Sequence, residues 1–224
     1  MPATSTRERM VAAAFRLFTD RGFEATTVDD IAAEAGVGRT TFFRSFPTKE
    51  AVVFPDHAPI LAAVDARLSS ATRDTGDLAL LEASRIVLDN YLADGEVARA
   101  RYALTSSVPA LRATESANQR AYQQLFRDHV RRWLTPPDGE LRDDLIAEVL
   151  ANAVVTAHNH VLRRWLRGTS TDARSELADA VAAVTRRLGL EASEATETQV
   201  VVVRSRRPFD EVLPQVRRLL ADDA

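Results

Sequence analysis

Residues 26–50, TTVDDIAAEAGVGRTTFFRSFPTKE, read as two short helices joined at a glycine turn. Thr27 is a good N-cap, since its hydroxyl can accept a bond from an orphan amide of the first turn, and Asp29 and Asp30 face the positive end of the helix dipole. Val28, Ile31, Ala32 and Ala35 recur at helical spacing, so this helix has one apolar face that needs a neighbour. Gly36 stops it through positive φ. Val37 is the apolar plug of the turn, and Gly38 leaves room for close approach of the next helix to a phosphate backbone. That helix, expected over 39–46, turns Phe42 and Phe46 to the core and leaves Arg39, Thr40, Thr41, Phe43 and Arg44 on its open sides. No acidic residue interrupts 36–49, and Lys49, the only lysine in the chain, suits a phosphate clamp at the entry to the following helix. An α-helix fits the major groove, where Arg bonds guanine and apolar groups touch thymine methyls. The pattern is a helix-turn-helix and points to duplex DNA.

The run 9–50 closely resembles the DNA-binding domain of TetR-type bacterial transcriptional regulators. The resemblance rests on the first helix 10–21 with its Ala/Phe/Leu/Phe stripe, the Gly22-Phe23 stop and the Thr26-Thr27-Val28 entry. It continues through Ile31-Ala32, Ala35-Gly36-Val37 and Phe46-Pro47-Thr48-Lys49-Glu50. The candidate DNA-binding set is therefore Thr26, Thr27, Arg39, Thr40, Thr41, Phe43, Arg44 and Lys49. The family usually carries Ser, Lys and Gly where this chain has Gly38, Arg39 and Thr40, Tyr where it has Phe43, and an aromatic at Ser45. Those departures keep the fold but change the phosphate-bonding set, because Phe43 has no hydroxyl to donate. What the resemblance implies is an all-α homodimer on double-stranded operator DNA, with a larger C-terminal domain that binds a small-molecule effector.

The chain has 224 residues, of which 46% are hydrophobic, enough for a small N-terminal domain and a larger helical one. The expected division is 1–50 for DNA binding, 51–189 for regulation and dimerisation, and 190–224 as a tail. There is no cysteine, which excludes disulfides and thiolate chemistry. With no basic-plus-apolar leader in MPATSTRERM and no apolar run near the roughly 20 residues that cross a bilayer, a cytoplasmic protein is expected. The net charge of −3 does not exclude DNA, because only the docking surface has to be basic.

From residue 48 onward the pattern stays helical, with helices expected near 48–70 (interrupted), 77–93, 96–107, 110–134, 138–167 and 172–188. Pro55 and Pro59 predict a break near 54–59; the resemblance implies that it is the hinge between the ligand and DNA-binding domains, the alternative being a simple change of direction between two packed helices. Tyr91, Tyr102, Thr105, Tyr122, Phe126 and His129 could together line a mostly apolar cavity with a few polar anchors, although such residues are commonly plain core. Leu150, Val154, Val161 and Trp165 on one late helix, with Leu177, Val181 and Val184 on the next, give broader apolar faces than a small bundle needs. By resemblance they are the candidate dimer interface, a four-helix arrangement with the symmetry mate. In the tail, Val200-Val201-Val202-Val203 could form a short strand and residues 208–221 a helix.

No catalytic residue, metal or cofactor is expected. His158 and His160 are two apart on a helix and cannot share a metal, and no HExxH, nucleophile elbow, phosphate loop or dinucleotide fingerprint occurs. An enzyme thus lacks its parts. The expected function is a repressor released from a palindromic operator by a small, largely apolar effector. The alternative is a constitutive DNA-binding dimer with a filled regulatory core and no effector.

Overall fold

A computed structural model describes residues 5–134 and 141–188, and within these every regular element is a helix. The tail expected as strand and helix lies outside the described residues. The first helix, α1 (Thr6–Arg21), starts four residues before the expected one. Ser5 and Glu8 form a capping box there: the Ser5 hydroxyl accepts from the Glu8 amide at 3.1 Å and the Glu8 carboxylate from the Ser5 amide at 2.7 Å. α2 (Val28–Glu34) begins on Thr27 with the reciprocal pair to Asp30. The Thr27 hydroxyl and amide both donate to the Asp30 carboxylate, at 2.7 and 2.9 Å, and hold it below its ordinary range. Gly36 takes φ 66°, a conformation that strains any residue with a Cβ, and α3 (Arg39–Ser45) follows.

The three helices close over aromatic side chains. Phe42 and Phe46 are 0% and 1% exposed, their rings 5.5 Å apart, and Phe18 sits 5.0 Å from Phe23. A seven-residue helix is too short to persist alone, so this packing is what holds α3 in place.

The expected break falls where the prolines place it, with one difference. A short 3-10 turn (Glu50–Val52) comes first, Pro55 lies in the connection, and α4 (His57–Ser69) starts on Asp56, whose carboxylate accepts from the Ala58 amide. Pro59 does not break α4. It is the third residue of the helix, where the missing amide would have had no intrahelical acceptor.

α5 (Gly76–Asp94) and α6 (Glu96–Ser107) meet at Gly95, whose φ of 52° ends one helix and begins the other. α7 (Pro109–Leu134) opens on a proline, and α8 (Leu141–Leu166) and α9 (Ala173–Arg187) complete the bundle. Helices α4, α5, α7, α8 and α9 share the larger core, built around Leu68, Leu80, Leu88, Leu150 and Leu177. The stretch Asp144–Leu166 is, contrary to expectation, long and apolar enough by length and composition to cross a bilayer. Its Leu150, Ala151, Val154 and Leu162 instead pack into this core.

α6 belongs to the other cluster. Val97, Ala100, Leu104 and Val108 lie against the core of α1–α3, together with Val52, Val53, Phe54 and Leu111. The adjoining face of α6 buries Ala98, Arg101 and Thr105. α6 thus packs its apolar side chains on the first cluster while also contacting α5, α7 and α8 of the larger bundle.

Candidate nucleic-acid interface and internal cavity

On α3 the open sides carry Arg39, Thr40, Phe43 and Arg44, all exposed, with Thr41 half-buried beside them. Phe43 is 41% exposed, its ring edge-on to Phe42 at 5.6 Å and 5.2 Å from the Arg39 guanidinium. Arg39 pairs with Asp29 of α2 at 2.6 Å, but both side chains are more than half exposed, so the pair is weak and exchangeable. Arg44 has no side-chain partner among the described residues and stands into solvent. Arg7 was not expected here. Its Nη1 donates to the Ser45 carbonyl at 3.1 Å and its guanidinium lies 4.3 Å from the Phe46 ring, placing a cation at the C-terminal end of α3. Nothing in the local pattern of residues 5–9 signals that contact, which spans 38 positions.

Two residues of the expected DNA set are placed elsewhere. Thr26 is 1% exposed, and its hydroxyl donates to the Gly22 carbonyl at 2.8 Å. The Lys49 Nζ donates to the carbonyls of Phe23 (2.9 Å) and Thr26 (3.1 Å) and lies 4.1 Å over the Phe23 ring. With two of its three protons on protein carbonyls, Lys49 ties the 3-10 turn to the α1–α2 connection instead of reaching outward. Thr27 is exposed, but its hydroxyl serves the N-cap.

Behind the DNA-facing unit, the larger core is not filled. A cavity of about 70 Å³ lies among α4–α8, with Phe54, Val87, Tyr91, Phe126, Val155 and Leu162 among its apolar walls. Of the expected lining, Tyr91, Tyr122 and Phe126 are present and three are not. Tyr102 accepts from Arg167 Nε at 2.9 Å on the outside, and Thr105 donates to the Tyr102 carbonyl. His129 lies one turn beyond Phe126 along α7, buried between Asp65 (2.7 Å) and Arg132 (3.0 Å), and does not line the cavity. Residues not anticipated take their place: His57, Ser84, Arg101 and His158. His57 Nδ1 lies 3.0 Å from the Tyr122 hydroxyl, whose pKa burial pushes well up.

Arg101 is the link between the two clusters. Its Nε donates to the Val53 carbonyl at 2.7 Å, its Nη2 pairs with Asp94 at 2.8 Å, and its side chain is 7% exposed. Arg101 and Phe54 also wall a second cleft, lined by Arg7, Val11 and Ala12 of α1. The guanidinium thus separates the cavity from the helix that carries the DNA-facing unit.

His158 gives a test of this burial. Desolvation holds its imidazole down at about 4 against an ordinary 6.5, opposed by the bond to Asn159. Unfolding releases the ring to bind a proton, so between pH 6.5 and 4 the unfolded chain takes up more protons, and stability falls as the pH is lowered through that window. The expected loss is about 2 kcal/mol by pH 5 relative to pH 7. Burial lowers His57 in the same direction. Urea melts at the two pH values should record the loss, and His158→Leu should remove most of it.

The expected dimer face also needs correction. Leu150, Val154, Val161, Leu177 and Val181 are at most 2% exposed within a single chain, where they meet α5 and α7, and so cannot meet a partner. Trp165 and Val184 are half-buried against that same core. Exposed apolar side chains on α8 lie instead at Leu145 (62%) and Val149 (45%), with exposed Thr156 and His160 continuing the stripe along the helix. Exposed Ala182 and Ala183 lie on α9.

A helical bundle with a helix-turn-helix whose outer face carries Arg39 and Arg44 defines the class, a regulator that docks on duplex DNA. Residues 10–54 match the family described as "Bacterial regulatory proteins, tetR family", and residues 78–189 match the MftR C-terminal domain. The chain belongs to the TetR family of transcriptional regulators. It is 24% identical to the mycofactocin biosynthesis regulator MftR of Mycobacterium tuberculosis, over 83% of this chain and 93% of that one. It is also 40% identical to the HTH-type regulator YerO of Bacillus subtilis, but only over 47 residues, 21% of this chain and 16% of YerO. Among solved structures, the SmeT–triclosan complex matches with TM-score 0.59 and 16% identity over 91% of this chain and 99% of that one. SmeT is the repressor of a multidrug efflux pump in Stenotrophomonas maltophilia.

Proposed function

We propose that this protein is a cytoplasmic homodimeric repressor that occupies a palindromic operator and leaves it when a small, largely apolar effector enters the cavity behind Arg101. The observation that carries the proposal is the outer face of α3, where Arg44 stands exposed beside Thr40 and Phe43 while Phe42 and Phe46 anchor the helix from behind. An arginine so placed can bond O6 and N7 of guanine in the major groove. Dimerisation supplies the second reading head. The exposed stripe Leu145, Val149, Thr156 and His160 of α8, with Ala182 and Ala183 of α9, is the surface that would meet its two-fold mate.

Release follows from differential binding: an effector acts only if it favours the arrangement with the wrong separation of the two α3 helices. Arg101 offers the route, because a ligand group that draws on its guanidinium competes with the bond to the Val53 carbonyl. SmeT, which shares the fold, has been solved in complex with triclosan, and this supports the reading.

Gel-shift titration with DNA flanking the protein's own gene is the test. Arg44→Ala should weaken specific binding by about 1–3 kcal/mol, with relaxed discrimination at one base pair. A loss uniform across sequences would make Arg44 a phosphate contact, and no loss would remove it from the interface.

A further inference from the structure

We infer that the cavity is built for a neutral, largely apolar molecule bearing a hydroxyl at its buried end, an alcohol or phenol, held by Ser84, Arg101 and His158. The inference rests on the effector reading above and names the chemistry of its ligand.

Each of these three lining residues keeps a buried polar atom without a partner among the described residues: Ser84 Oγ, Arg101 Nη1 and His158 Nε2. Buried polar atoms are nearly always satisfied, and each orphan is costly, so three on one cavity mark a place where something else supplies the bonds. Their donor and acceptor characters narrow what that is. Arg101 Nη1 can only donate. His158 Nδ1 lies 3.3 Å from Asn159 Oδ1, an acceptor, so the ring proton sits on Nδ1 and Nε2 presents a lone pair. Ser84 can do either. A group that meets both Arg101 and His158 must therefore accept and donate at once. A hydroxyl does both, a carboxylate or ketone cannot donate to His158, and an ammonium cannot accept from Arg101.

Charge agrees with this choice. The Arg101 guanidinium is already paired with Asp94 at 2.8 Å, and the other full charge on the lining, Glu115, is exposed at the rim. An entering carboxylate would lose its hydration without an unpaired cation to compensate. The walls of Val87, Phe126, Val155 and Leu162 take the apolar body. The present space of about 70 Å³ amounts to roughly two waters at their share of liquid volume, so a ligand must also spread the walls.

The experiment compares 4-butylphenol, its methyl isostere 4-butyltoluene and the anion 4-butylbenzoate by calorimetric titration of the full-length protein, with operator binding measured in the same samples. The phenol should bind at least about tenfold more tightly than either of the others. His158→Leu should shrink that preference to about threefold or less, and Ser84→Ala should reduce it independently, each with an unchanged circular dichroism spectrum. Equal binding of the methyl isostere, tighter binding of the benzoate, or no binding by any of the three overturns the hydroxyl assignment. A phenol that binds with the stated preference yet leaves operator affinity unchanged upholds the assignment and sinks the effector reading instead.

Discussion

Leu145→Glu combined with Val149→Glu should turn the protein into a monomer and lower its affinity for the full operator by about 10³-fold or more. The two positions are 62% and 45% exposed and lie one turn apart on α8, so the substitutions leave the buried core of the described residues in place. Across a two-fold axis they would place like charges face to face in a surface that must be dry to hold. A single α3 makes too few base contacts to be specific, and the gap between specific and non-specific binding is typically 10³ or more. Sedimentation equilibrium and fluorescence anisotropy on labelled operator would record both losses. A double variant that remains dimeric would move the interface off this stripe. The Leu150→Ala change, by contrast, should destabilise the fold without altering the subunit association, since Leu150 is wholly buried.

Phe42→Ala should destabilise the DNA-binding unit by about 3–5 kcal/mol and abolish operator binding even where the rest of the chain stays folded. Phe42 is fully buried and packs near the rings of Phe43 and Phe46, so its removal leaves a cavity under α3, the helix proposed to face DNA. A loss of that size is a large share of the 5–15 kcal/mol that typically stabilises a domain. Its neighbour makes the control: Phe43→Ala, at an exposed position, should stay within about 0.5 kcal/mol of the parent in a thermal melt. Equal melting curves for the two variants would contradict the assignment of inner and outer faces to α3.

The helix pattern was legible where local chemistry decides it. α6 runs over the residues expected from Gly95 and Pro109, the Thr27 cap and the Gly36 turn stand as their residue types require, and Phe42 with Phe46 face inward at helical spacing. What local chemistry could not decide was the choice between several available partners. Lys49 and Thr26 have groups that suit a phosphate, but carbonyls left over at the α1–α2 connection lie nearer. On α8, periodicity separates apolar from polar sides but cannot say which apolar strip faces α5 and α7 and which faces outward. Leu150 and Val154 therefore read as interface and are core.

The cavity shows the same limit from the other direction. Tyr102, Thr105 and His129 looked like polar anchors because of their type, and each has its bond elsewhere. Arg101 and His158 did not look like lining because arginine is rarely buried and a histidine on an apolar helix is usually satisfied. Their signal in the sequence is faint: Arg101 shares the inner face of α6 with Ala98 and Thr105, and His158 follows Val154 at one turn.

The most direct test of the central claim is selection of duplex DNA from a random pool by the full-length protein at moderate salt. The account predicts enrichment of a two-fold palindrome whose half-sites are centred one helical turn, roughly 34–36 Å, or a multiple of it apart, and loss of that enrichment with Arg44→Ala. Recovery of unrelated sequences held only by salt-sensitive contacts, unchanged in the variant, would contradict it.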